Sequence, residues 1–475
     1  MLLLALIAVP ALAAVIAYAR RTPQWRATWL IVGALLHLAL VTVAWVVPPL
    51  PLFKGWLALD SLGLIVLTTV SALFAVVGFY AVGYLRRESP RGGRAFASYL
   101  LAFLAAASLV AVSHHFAVLW VGLEATTLAV APLIYHRHDR RSLEAVWKYL
   151  VISSVGIALA LLGVFFLATA QAGAPSARPL VLEDLITDAA RLQPAWLKAA
   201  FIFLLVGFGT KMGLAPMHTW KPDTYGEAPS LVGGLMAGAL TSCAFLGLAR
   251  ITQVAVAADI APFVQPLLLG FGLLSLVVAA AFLVGQTDLK RLLAYSSVEH
   301  MGLLAIGLGL GGVGAYGAVL HMINNAFVKG LLFLAVGNVL LPARDGTPPG
   351  VSGVLHRAPV SGFLLLIGLF AVTGSPPFGP FLSEFAILSA AFHGGHYWIA
   401  ATVLGLLAVI FVSLGARVLG AVYGAAAPTG ARESAWLAAA PVVLALVVLG
   451  LGVFIPRPLF QALAAAAGTL GGWAP

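Results

Sequence analysis

Apolar residues come in blocks of about 18–25 along the whole chain, with short polar segments between them. The blocks show no period-two alternation. They therefore read as membrane-crossing helices, which satisfy their own backbone in lipid, and not as barrel strands. The pattern predicts about fourteen spans, near 2–18, 28–47, 61–84, 97–112, 116–134, 148–170, 198–215, 229–250, 263–284, 292–310, 313–341, 360–392, 398–423 and 436–455. The twelfth is interrupted. The block at 2–18 has the length of a secretory leader but lacks a basic start and a clear cleavage site, so it reads as the first span.

Composition excludes a soluble domain. Of 475 residues, 62% are hydrophobic and 9% charged, against about 25% charged in soluble proteins. Mean hydropathy is +1.05. The expected fold class is an all-α polytopic membrane protein, one membrane domain over 1–475. Charge gives it an orientation. About seventeen of the 26 Lys and Arg residues follow odd-numbered spans: Arg20, Arg21, Arg26, Arg86, Arg87, Arg91, Arg94, Arg137, Arg140, Arg141, Lys148, Lys221, Lys290, Arg291, Arg344, Arg357 and Arg432. Lys54, Arg178, Arg191, Lys198, Arg250 and Arg457 fall on the other side. The positive-inside rule then places the basic loops in the cytoplasm of a bacterial or archaeal cell and both termini outside. This asymmetry accounts for the net charge of +10 without a nucleic-acid partner.

A single cysteine, Cys243, can hold neither an iron–sulfur cluster nor an internal disulfide. The histidines have no metal or haem spacing; His114–His115 and His136–His138 stand at span ends, where interfacial anchoring is the plain reading.

Ionisable residues within the spans are few: Glu124, Lys211, Glu299, Lys329, Glu384 and Arg417, with His218, His300 and His321 in or near helix ends. Lys211 stands in the apolar stretch 201–216, where a lysine costs roughly 2.5–3.5 kcal/mol to insert. Gly207, Gly209 and Gly213 surround it and Pro216 breaks the helix. Glu124 reads either as a structural partner for a buried cation or as the group that tunes it. His321, Asn325 and Lys329 recur every four residues, a polar stripe roughly 12 Å long bordered by Asn324. It reads as an interhelical seam or as a path, and the charge of Lys329 favours the path. Glu384 follows a second break, with Pro376, Pro377 and Pro380 beside Gly374 and Gly379. Two interrupted helices, each with a charge, predict an inverted-repeat core: 96–250 (helices 4–8) and 262–423 (helices 9–13), with helices 7 and 12 broken. Arg417 reads as snorkelling to the interface.

The segments WVGLEATTLAVAPLI (120–134), WKYLVISSVGIALALLG (147–163), GFGTKMGLAPMHTWKPD (207–223), EAPS (227–230), DLKRLLAYSSVEHMG (288–302) and TGSPPFGPFLSEF (373–385) carry a family resemblance. The chain resembles the antiporter-like subunits of respiratory complex I and of Mrp-type sodium/proton antiporters. The phrases LEATTL, SSVGIALAL and SSVEHMG make it most similar to the F subunit of hydrogenase-4-type membrane-bound nickel–iron hydrogenases. The resemblance implies 14 core helices with two inverted five-helix repeats, and roles for the matched residues. Glu124 and Lys211 would be an ion pair whose opening drives proton transfer. His218 would be the cytoplasmic-side relay, His300, His321 and Lys329 the central relay, and Glu384 the terminal site; Glu299 is a candidate from its place at the entry to the tenth span.

Some positions depart from the family pattern. Ser242 stands where many members carry a second lysine and Asn325 where a second histidine often sits; both can order water but hold no proton charge. Tyr225 replaces a common histidine and Lys221 an apolar residue. A wetted path through Ser242 is the expectation. With roughly 20 residues after position 455, the long lateral helix of some members is expected to be absent.

The resulting expectation is a proton-translocating membrane subunit of a redox-driven hydrogenase- or complex I-like assembly. Its partners would be other membrane subunits and a soluble redox arm holding iron–sulfur clusters and a nickel–iron site or flavin, with no cofactor in this chain. A sodium/proton antiporter subunit, a proton-driven subunit of an inorganic-carbon uptake complex and a static scaffold are the rival readings.

Overall fold

In the computed structural model the described residues are 1–20, 22–86, 93–172, 178–341, 352–425 and 433–471, with the side chains of Gly93 and Arg94 excepted. Arg21, Arg87, Arg91, Arg344 and Arg432, used above for orientation, lie outside the described residues, as does the side chain of Arg94.

The apolar blocks fold as α1 (Leu2–Ala19), α2 (Pro23–Val46), α3 (Ser61–Leu85), α4 (Gly93–Val112), α5 (Phe116–Ile134), α6 (Arg140–Gln171), α7 (Leu182–Thr187), α8 (Pro194–Met212), α9 (Trp220–Glu227) and α10 (Ser230–Leu235). A π-helical turn at Met236–Leu240 joins α10 to α11 (Thr241–Ala257). There follow α12 (Ala261–Leu283), α13 (Leu289–Leu310), α14 (Gly312–Leu340), α15 (Val354–Arg357), α16 (Pro359–Val372), α17 (Gly379–His393), α18 (Tyr397–Tyr423), α19 (Ala435–Val453) and α20 (Arg457–Gly468). Among the described residues, 13 helices are long and apolar enough to cross a membrane. α16 is a shorter apolar helix, and α17 follows it across the break at residues 373–378, where the interrupted twelfth span was expected. This is a multi-pass membrane protein.

Local chemistry sets the helix ends. Asp60 caps α3 by accepting from the Gly63 amide at 2.9 Å, and Asp139 with Ser142 forms a reciprocal cap on α6. α8 stops at Gly213, whose left-handed φ of 78° a residue with a Cβ adopts poorly. The freed Ala215 amide donates to Ser275 Oγ at 2.9 Å, so the break is tied to α12. Lys211 thus stands in the last turn of α8, where the carbonyl end of the helix dipole favours a cation.

The apolar windows within Ser230–Ala257, Leu289–Leu310 and Gly312–Leu340 are 100% buried, which puts α10–α11, α13 and α14 at the centre. Close packing follows from small residues. A Cβ on Gly207 of α8 would sit 2.7 Å from the Gly156 carbonyl and 2.8 Å from the Ala160 amide, so α6 and α8 touch backbone to backbone. After α19 the amphipathic α20 packs on α3 and α14.

Candidate functional site

The buried polar side chains form two similar units, one between α5 and α8 and one between the central α13 and α14. In the first, the Lys211 ammonium at the end of α8 donates to Thr127 Oγ1 on α5, and Thr127 donates to Glu124 Oε2 at 3.1 Å. Lys211 is fully buried, and its Nζ also lies 5.3 Å from the Tyr149 ring centre. The expected ion pair is therefore joined through a hydroxyl. In the second unit, Lys329 of α14 donates to Ser296 Oγ at 2.7 Å, and Ser296 reaches Glu299 Oε2 at 3.4 Å, both on α13. Each lysine meets its acid across a hydroxyl three residues from that acid along the helix, on the same helical face. That i, i+3 spacing was the available signal for Thr127 and Ser296, neither of which the residue pattern had singled out.

His300 Nδ1 and His321 Nε2 are 2.9 Å apart, and His321 Nδ1 is 2.9 Å from Ser383 Oγ on α17. Asn324 donates to the same Ser383 at 3.4 Å. Glu384 is buried beside Gly374 at the second break, its Oε1 without a partner, and Glu299 faces it electrostatically. Ligand atoms of His300, His321 and Glu384 lie within 4.8 Å of one another, a spacing a cation could span. The Lys329 charge acts on both histidines, which also bond to each other. That arrangement suits proton exchange better than a resident metal.

His218 lies in the break after α8, buried, with Nδ1 unpartnered and its ring 6.4 Å from Phe282 and from Tyr295. Asn325 donates to the Ala237 carbonyl at 3.3 Å, on the π turn; such turns recur at functional sites. Ser242 spends its hydroxyl on the Gly238 carbonyl of its own helix, at 2.7 Å. No side-chain bond joins it to either lysine among the described residues.

Two expectations change. Lys221, counted among loop charges, has 0% exposure, and its Nζ has no hydrogen-bond partner. The short α9 folds back into the bundle after the break, which local pattern could not reveal. His114, expected as an interfacial anchor, is buried in an ionic network on the face opposite the basic loops. It contacts Glu183 at 2.5 Å and Arg250 at 3.2 Å, while Arg250 donates to both Asp60 oxygens at 2.5 and 2.6 Å. Burial pushes the Asp60 carboxyl up, but the Arg250 guanidinium and His114 outweigh it and hold the group well below the usual carboxylate range. These groups lie far apart in sequence, so only the fold brings them together.

On the basic face a polar vestibule of about 670 Å³ opens between α6, α9 and α13. Pro222 and Asp223 line it, and Asp223 is held by Lys148 at 2.8 Å and Arg291 at 2.7 Å.

The family described as the NADH:quinone oxidoreductase/Mrp antiporter transmembrane family matches residues 113–410. A hydrogenase-4 component F homolog from Methylacidiphilum infernorum is 33% identical, over 76% of this chain and 77% of that protein. NADH-quinone oxidoreductase subunit N of Desulforudis audaxviator is 32% identical, over 85% of this chain and 83% of that protein. A chain of respiratory complex I from Thermus thermophilus, solved with bound aureothin, superposes with a TM-score of 0.80 at 26% identity, covering 98% of this chain and 100% of that one. The chain belongs to the NADH:quinone oxidoreductase/Mrp antiporter transmembrane family, whose members include antiporter-like subunits of respiratory membrane complexes.

Proposed function

We propose that this chain translocates protons as a membrane subunit of a redox-driven complex of the hydrogenase or complex I type, through a buried Glu–Lys–His relay. The observation that carries the reading is the repeated lysine–hydroxyl–glutamate unit, present once at Lys211–Thr127–Glu124 and again at Lys329–Ser296–Glu299. A static scaffold would be served by direct ion pairs. A hydroxyl bridge instead both accepts from the ammonium and donates to the carboxylate, so a proton can exchange across it. Movement that opens the Glu124 bridge withdraws the counter-charge from Lys211 and drives the proton on toward the second unit. From Lys329 and Glu299 it would pass by His300 and His321 to Glu384.

The two inverted repeats, 96–250 and 262–423, are part of the same proposal. Their support is the parallel packing order: α4 on α5, α5 on α6 and α6 on the broken helix α8, against α12 on α13, α13 on α14 and α14 on the broken α16–α17. The basic face would be cytoplasmic and the chain's ends external. Iron–sulfur, nickel–iron or flavin centres would sit in partner subunits, in keeping with the names of the relatives.

The deciding experiment is Lys211→Ala in the complex purified from its native membrane. Proton uptake per electron should vanish while the complex stays assembled; normal pumping by the assembled variant would refute the reading. The family description also covers Mrp antiporters, so a sodium/proton exchange subunit is the second reading. It requires sodium-dependent proton movement and co-purification with small membrane proteins only.

A further inference from the structure

The two lysine units leave a gap between them. Ser242, the residue expected to carry the proton across it, has its donor committed to Gly238. The structure fills the gap with a different group. Lys221 extends from the first turn of α9 back along the end of α8. A Cβ built on Gly213 would lie 2.5 Å from its Cδ and 2.9 Å from its Nζ, so glycine at 213 leaves room for this side chain. Lys211 stands two residues before that glycine. On its other side Lys221 has Lys329 and His300 as electrostatic neighbours, and His218 from the break.

The surroundings are polar yet unsatisfied. Tyr149 OH, Ser153 Oγ, Thr224 Oγ1, Tyr225 OH, His218 Nδ1 and Lys221 Nζ are all buried without a hydrogen-bond partner. Buried polar groups are almost always bonded, to protein or to ordered water. Six orphans around one break call for water to satisfy them. The rings give the order: Lys211 over Tyr149 at 5.3 Å, and Lys221 over Tyr225 at 5.9 Å. Lys221 differs from Lys211 and Lys329 in having no acid bridged to it among the described residues, and from the buried Lys290, whose ammonium donates to the Gly226 and Ala228 carbonyls, in having no hydrogen-bond partner at all. A fixed ion-pair role is therefore not available to it. Its chain neighbours Pro222 and Asp223 line the polar vestibule on the basic face.

We infer that Lys221 is the residue that carries protons between the Lys211 and Lys329 units, and that it is loaded from the vestibule lined by Pro222 and Asp223. The lateral step thus runs Lys211, water near Tyr149 and Tyr225, Lys221, then Lys329 and His300, bypassing Ser242. A proton arrives on the Lys221 amine and leaves from it, with no other bond changed. The inference rests on the proton-translocation reading given above.

The test uses the whole complex in inverted native membrane vesicles, supplied with the donor and acceptor of its co-purified redox subunits. Protons moved per electron are measured for Lys221→Met, Lys221→Arg, Lys221→His, Lys221→Gln, Ser242→Leu and Lys211→Met. Lys221→Met should lower translocation at least tenfold, and Lys221→Arg should fail too, because a guanidinium keeps its proton. Lys221→His should retain part of the activity, and Ser242→Leu should stay within about twofold of wild type. Full activity of Lys221→Arg would make the residue a fixed charge and overturn the inference. If Lys221→Met does not assemble, histidine active with glutamine silent supports it, and equal activity of the two overturns it. Normal pumping by Lys221→Met with Lys211→Met silent removes Lys221 alone. Normal pumping by both removes the translocation reading itself.

Discussion

Thr127→Val probes the first lysine unit at its least obvious member. The side chain is fully buried, and valine keeps its shape while removing the hydroxyl that joins Lys211 to Glu124. Tyr149 then remains as the near neighbour of the ammonium, through its ring face. A hydrogen bond to a charged group is worth about 1.5–3 kcal/mol, so the exchange step across the bridge should slow about 10- to 150-fold. Thr127→Ser keeps the oxygen and should stay near wild type. Proton uptake and electron transfer are followed together in vesicles holding the native complex. Folding is checked separately with a thiol-reactive dye, because Cys243 is the one cysteine of the chain and is fully buried. Its labelling reports opening of the bundle. Equal pumping by the valine and serine variants, both folded, would show that no proton crosses Thr127.

Ser296→Ala should produce a comparable slowing at the second unit, since among the described residues Lys329 would retain only the Leu293 carbonyl at 3.4 Å; unchanged pumping would restrict the hydroxyl-bridge argument to the first unit. Glu384→Gln keeps the shape of the terminal acid but not its titratable proton, so release should stop while the dye assay stays unchanged, and normal turnover with pumping would remove Glu384 from the path. Asp60 is held below the ordinary carboxylate range in the fold. Its stabilising contribution is therefore present above the unfolded carboxylate value and lost as pH falls through the folded one. Melting of the purified protein from about pH 5 down to about pH 2 should show a decline that Asp60→Asn flattens; parallel curves for the two proteins would refute the network's role. Reporter fusions at Arg140 should read cytoplasmic and at Arg191 external, and the reverse result would overturn the orientation.

The sequence by itself determined the long helices, the two breaks and the buried Lys211, Glu299, Lys329 and Glu384, but not the buried Lys221 and Arg250. Long apolar blocks leave the backbone no option in lipid but to bond within a helix, and glycine and proline around Lys211 and Glu384 act within a few residues. The spacing of His321, Asn325 and Lys329 on one helix was legible for the same reason: it depends on one helical period alone. What only the tertiary structure decided is which groups meet. Thr127 joins Glu124 to a lysine 84 positions later, and Asp60 meets Arg250 across 190. No local pattern encodes such distances. Lys221 shows the limit most clearly. Beside a proline and an aspartate it has the composition of a loop, and the fold buries it because α9 turns inward after Gly213, a direction set by the packing of α6, α13 and α10 around it.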